Sequence, residues 1–227
     1  MKYFLPVTIL CSSMATPALA TECIDEGDIV GVTLNGNSGQ GQPQSISLLR
    51  ETKNRVIYEF QPQGVTRVYL RYAADTIGYE EYFEAEKIGV EHEPSPNNVP
   101  GGWSEVTNFV SDKTLASLQK VGSGTYRCLA TTRYEGVVDG QSVQAEMLDG
   151  LNLPVSVERS TPQVVTRWEI TALETDNERA SSISAALDSY RTYDFADLGD
   201  HEEEAFFRNS GYLQYKLGHG HAEDHDH

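Results

Sequence analysis

Nine residues at the C-terminal end, His219-Gly220-His221-Ala222-Glu223-Asp224-His225-Asp226-His227, hold four of the chain's six histidines and three carboxylates. Neutral imidazole is a good ligand for zinc, copper and nickel, and a Gly-containing backbone lets His-x-His pairs converge on one ion. His219, His221, His225 and His227 are therefore the candidate nitrogen ligands for a divalent transition metal, zinc first. Glu223, Asp224 and Asp226 are candidate oxygen ligands, or acceptors that orient the imidazoles. The plain alternative is an exposed polar tail with incidental metal affinity. His92 or His201 would complete the site if the tail folds back.

The rest of the chain offers less chemistry. No Gly-x-Ser-x-Gly and no His-Glu-x-x-His occurs, and no cysteine stands beside a base. His92, between Glu91 and Glu93 just before a Pro-rich segment, reads as a solvated residue at a strand end. Carboxylate pairs such as Glu80-Glu81 and the run Glu202 to Glu204 read as solvated faces of an acidic chain. Arg67 with Arg71, and Arg127 with Arg133, share strand faces; such residues ordinarily pair with cross-strand carboxylates, and the alternative is an anion-facing wall. Aromatic runs at Tyr79, Tyr82 and Phe83 and at Tyr190, Tyr193 and Phe195 read as core, or else as the lining of an apolar cavity under the C-terminal helices. Tyr72 and Trp168 are the candidate lining residues.

The elements that must position these residues are mainly β. Val56, Tyr58 and Phe60 alternate with Arg55, Ile57 and Glu59; Val68, Leu70 and Tyr72 alternate with Arg67, Tyr69 and Arg71; Trp168 and Ile170 alternate with Arg167 and Glu169. Period-two patterns rich in aromatic and β-branched residues mark strands with a buried face. Asp139-Gly140 and Asp149-Gly150 suit tight hairpin turns, and residues 124–173 read as a four-strand meander. Residues 93–102 are a loop, 103–110 a strand, and Ser111 caps a short helix that runs through Lys120 and ends at Gly122-Ser123-Gly124. From Thr175-x-x-Glu178, a capping box, the period becomes helical through Ile183, Ala186, Leu187 and Tyr190. A second helix starts near Asp200 with Phe206 and Phe207 inward.

The fold class is thus mainly β with C-terminal α (α+β): a curved antiparallel sheet, half-barrel or barrel of about eight to nine strands, covered by C-terminal helices. In length, export and meander, with Leu153-Pro154 opening a strand, the chain is similar to half-barrels of the lipoprotein-carrier type, an analogy of architecture without a specific motif.

Residues 1–20 read as a secretory signal peptide, with Lys2, an apolar stretch from Phe4 to Cys11, and Ala18-Leu19-Ala20 before the cleavage point. Residues 21–217 form a single β-rich domain and 218–227 a flexible His- and acid-rich tail. No later stretch reaches the roughly 18 apolar residues of a membrane span. Export to an oxidising compartment leaves Cys23 and Cys128 to pair as a disulfide. A net charge of -17 argues against nucleic acid and anionic membrane surfaces as partners. The leading expectation is a soluble, non-enzymatic binding protein of the periplasm or exterior with a zinc-binding tail. The alternative is a periplasmic carrier of a lipid or other apolar ligand, and an envelope enzyme comes third.

Overall fold

The computed structural model describes residues 23–38, 43–201 and 203–209. β1 (Gly31–Ser38), β2 (Gln44–Thr52), β3 (Arg55–Gln61), β4 (Val65–Arg71), β5 (Ile77–Phe83) and β6 (Ile88–Ser95) form one antiparallel meander. α1 (Gly102–Asn108) and α2 (Asp112–Ser117) follow. A second meander then runs through β7 (Gln119–Tyr126), β8 (Leu129–Val138), β9 (Gln141–Leu148), β10 (Pro154–Ser160) and β11 (Val165–Glu174). β11 pairs antiparallel with β1, which fuses the two meanders. α3 (Asn177–Leu187) leads to β12 (Arg191–Asp194), which pairs parallel with β6. A 3-10 helix at Phe195–His201 and α4 (Ala205–Asn209) close the described chain.

Among the described residues the result is one curved sheet of 12 strands in the order β12-β6-β5-β4-β3-β2-β1-β11-β10-β9-β8-β7, which does not close. It is larger than the eight to nine strands expected. The meander has five strands rather than four, because Gly122 to Gly124 lie inside β7 instead of ending a helix. Residues 103–110, read as a strand, hold α1.

Register explains which residues meet. Tyr58 stands opposite Arg67 and Ile57 opposite Val68, so Val56, Tyr58, Arg67 and Tyr69 share one face and Ile57, Val68 and Leu70 the other. On the inner face Val32, Leu34, Ile46, Leu48, Val56 and Tyr58 pack with Val106 of α1. On the outer face Leu49, Ile57, Val68 and Tyr82 pack with Ala180 and Leu187 of α3. Covered on both sides, the central strands carry adjacent apolar pairs, Leu48-Leu49 and Val56-Ile57, rather than a simple alternation.

Four local features hold this frame. A bulge at Thr171 lets Trp168, Ile170 and Leu173 of β11 all join the inner core. Asp139 (φ 50°) and Gly140 (φ 77°) make the tight β8–β9 turn that their types call for. The β7–β8 turn repeats that geometry with Arg127 and Cys128, and the Cys23–Cys128 disulfide ties it to the segment before β1. With the cysteines 105 positions apart in sequence, the chain-entropy argument gives that bond about 4.7 kcal/mol. α3 is capped by Asp176, whose side chain accepts from the Glu178 backbone N–H at 2.7 Å, in place of the expected Thr175 capping box.

Candidate ligand cavity

A cavity of about 550 Å³ lies between the inner face and α1. Its aromatic wall is built by Tyr58 and Phe60 of β3, Tyr69 of β4 and Trp168 of β11, with Val157 of β10 beside them. Glu105 and Val106 of α1 and Phe109 just after it form the opposite wall. Gln141, Arg159, Thr161 and Thr166 add polar groups at one side. Trp168 lies over Gly36 of β1: a Cβ there would meet the indole carbons at 2.5 Å, so the flat ring needs a glycine beneath it.

α1 is fixed over the cavity by polar anchors. The Tyr58 hydroxyl donates to the Val106 carbonyl at 2.8 Å. Arg50 donates to the Thr107 carbonyl, the Asn108 side-chain oxygen and the Leu151 carbonyl, each at 2.9 Å. The Trp103 indole donates to the Lys53 carbonyl. Burial, with Tyr69 and Glu105 nearby, pushes the Tyr58 phenol well above its ordinary value, so it remains a neutral donor. Phe109 caps α1 in the left-handed region at φ 64°, unusual for a bulky residue, and its ring meets Trp168 edge-on at 5.9 Å.

Beyond the cavity the inner face continues as an aromatic ladder. Tyr58, Tyr69, Tyr79, His92 and Phe195 follow one another at ring-centroid spacings of 5.5, 6.0, 4.1 and 4.7 Å. Within it, Arg67 sits over Phe60 and Tyr79, donates to the Tyr69 hydroxyl, and pairs with buried Glu81 at 2.5 Å. His92 Nε2 lies 3.2 Å from the other Glu81 oxygen. His92 is therefore a packed member of β6 and not the solvated strand-end residue expected from its position. Arg67 has the cross-strand carboxylate that its strand setting calls for, which removes it from an anion-facing wall.

The expected cavity residues divide. Trp168 lines the cavity. Tyr72 lies just past β4, is 64% exposed, and takes no part in this cavity's lining. It belongs to the Val68-Leu70 row, which register turns to the outer face. The cavity also lies under α1, not under the C-terminal helices, because α3 packs on the outer face. Tyr82 and Tyr190 meet there edge-on at 5.8 Å. Phe83, Phe195 and Phe206 pack around Ile88, Val90 and Tyr193 near the β6–β12 edge.

The candidate metal ligands of the tail, His219, His221, Glu223, Asp224, His225, Asp226 and His227, like residues 1–22, lie outside the described residues. Among the described residues no group of three or more His, Cys, Asp or Glu side chains is arranged to hold a metal ion, and no helix is long and apolar enough to cross a membrane. His201 packs edge-on against Tyr193 at 4.8 Å.

No known protein family matches the chain, and no curated protein matches it in sequence. Among solved structures, PNGF-II is similar with a TM-score of 0.42 and 8% identity over 72% of this chain; the chain spans only 30% of PNGF-II. LprF from Mycobacterium bovis gives 0.36 and 9%, covering 65% of this chain and 87% of that one. A putative outer membrane lipoprotein-sorting protein domain from Vibrio parahaemolyticus gives 0.34 and 11%, covering 72% and 93%.

Proposed function

We propose that this chain is an exported carrier that holds one apolar chain between the inner face of its sheet and α1. The observation that carries the reading is the cavity itself. Its volume of about 550 Å³ falls within the range of small-molecule sites, and its walls are largely aromatic and aliphatic. Each methylene taken from water contributes about 0.8 kcal/mol, so ten give a gross figure of about 8 kcal/mol. That corresponds to a Kd of about 1 μM before ordering costs, suited to capture and release. Export is supported by the signal-peptide pattern of residues 1–20 and by the Cys23–Cys128 disulfide, which belongs to an oxidising compartment.

The test uses Trp168. The chain has two tryptophans, so Trp103→Phe leaves Trp168 as the sole indole. A brominated fatty acid titrated into that variant is expected to quench its fluorescence saturably, at micromolar concentration. Quenching no greater than that of free tryptophan in the same solution overturns the carrier reading.

A second, separate proposal concerns the tail. The density of imidazole and carboxylate in residues 219–227 favours binding of a divalent transition metal, zinc first. It requires nothing of the cavity.

A further inference from the structure

Three strand arginines of this acidic protein face a carboxylate directly across the ladder. Arg67 stands opposite Glu81, Arg133 opposite Glu146, and Arg167 opposite Glu158. Opposite charges across a ladder stabilise one another and spare each group an uncompensated loss of water. Arg50, Arg55 and Arg71 face no carboxylate across the ladder but find partners elsewhere, Arg50 in α1, Arg55 in Glu51 and Arg71 in the Ala73 and Ala74 carbonyls, whereas Arg159 has neither. Its two cross-strand neighbours are Val143 on β9 and Thr166 on β11. It shares the inner face with Val157, helps line the cavity, and is half-buried. Among the described residues its side chain makes no ion pair and no hydrogen bond.

Arg159 also stands at a junction. A second hollow, of about 560 Å³, adjoins the first, and Glu105, Gln141 and Arg159 line both. The first is walled mainly by rings and aliphatic groups. The second is more mixed, lined by Ser111, Thr114, Ser117, Lys113 and Asp139 together with Val137, Val138 and Val143. Glu105, the acid common to both, folds its carboxylate back over Gly101: a Cβ there would meet Oε2 at 1.9 Å. An apolar compartment thus opens onto a more polar one past an arginine without an ion-pair partner.

We infer that the ligand of this cavity is an amphiphile with an anionic head, a carboxylate or a phosphate, which Arg159 receives where the two hollows meet. This rests on the carrier reading and names its substrate class. The apolar chain lies against Tyr58, Phe60 and Trp168. The head accepts hydrogen bonds from the guanidinium, whose planar fork matches two oxygens. Lys113 adds a second cation on the polar side, and Glu105 and Asp139 oppose a doubly charged head more than a singly charged one.

The test is competition against the brominated fatty acid bound near Trp168, using laurate, methyl laurate and a lauroyl lysophosphatidate. In the otherwise unaltered chain, laurate is expected to compete at concentrations at least fivefold below its methyl ester. Arg159→Gln is expected to weaken laurate until the two fall within twofold, leaving the ester unchanged, and Arg159→Lys to restore part of the preference. The ratio of laurate to lysophosphatidate separates a carboxylate head from a phosphate one. If acid and ester compete equally in the unaltered protein, or if Arg159→Gln weakens both alike, this inference is overturned while the carrier reading stands. If the brominated acid itself does not bind, the carrier reading falls first.

Discussion

Burial holds the Glu80 carboxyl above its ordinary range, and Glu91, directly across the ladder, pushes it the same way against the Tyr82 hydroxyl that donates to it at 2.9 Å. The folded chain therefore keeps a proton there at a pH where the unfolded chain has released it. The resulting stability is complete below the ordinary carboxylate value and is lost as pH rises through the raised one. Glu80→Gln keeps an acceptor for Tyr82 and removes the charge. Relative to the unaltered protein, its melting temperature is expected to be higher by more at pH 7 than at pH 4. An equal difference at both would show that the carboxyl is not held up by its surroundings. At the same scale the two candidate cavity residues show what alternation can and cannot tell. Both Tyr72 and Trp168 sit in period-two rows, but such a row has two faces, and only pairing register says which one turns inward. Arg159 was missed because nothing in the local sequence marks an arginine whose cross-strand neighbours will be Val143 and Thr166.

α1 depends on a guanidinium as much as on its own turns. A seven-residue helix with a glycine N-cap and no side-chain cap is marginal alone, and Arg50 holds its C-terminal end through the Thr107 carbonyl and the Asn108 side chain while also reaching Leu151. Arg50→Ala leaves these acceptors without their donor. Bonds to charged groups contribute about 1.5–3 kcal/mol, so a loss of about 2–3 kcal/mol in denaturant unfolding is expected, with faster amide exchange across α1 than across α3. Unchanged exchange in α1 would show that Val106 packing alone suffices. This helix leaves little trace in the sequence: only Trp103 and Val106 stand at i and i+3 within its seven residues, and the β-branched Val106 and Thr107 obscure that spacing. Its place over the inner face was not legible, because it depends on contacts with β2 and β3 some fifty residues earlier. The strands with alternating apolar rows were legible, as were the Asp139-Gly140 turn and α3. β12 was not, since four residues carry no period and its parallel pairing with β6 joins segments about a hundred residues apart.

At the scale of the molecule, 34 acidic against 17 basic residues give a negative field that raises the local concentration of any cation. That field alone binds nothing specifically, and salt screens it within about 10 Å at 0.1 M. Coordination by His219, His221, His225 and His227 would persist in salt, because metal–nitrogen bonds do not depend on the diffuse field. The two contributions can therefore be separated. Zinc binding measured by calorimetry is expected to weaken only modestly between low and moderate salt. It should weaken steeply as pH falls through about 6.5, the ordinary histidine value, because protonated imidazole cannot coordinate. Acidic residues elsewhere would give the opposite pair of results, strong salt dependence and little change near that pH. The deciding comparison is the full chain against one ending at Leu217. Saturable zinc binding is expected in the first and absent from the second, with fatty-acid quenching of Trp168 the same in both. Equal zinc binding by the two would remove the tail from any role in metal capture, and a loss of lipid binding on truncation would show that tail and cavity act together.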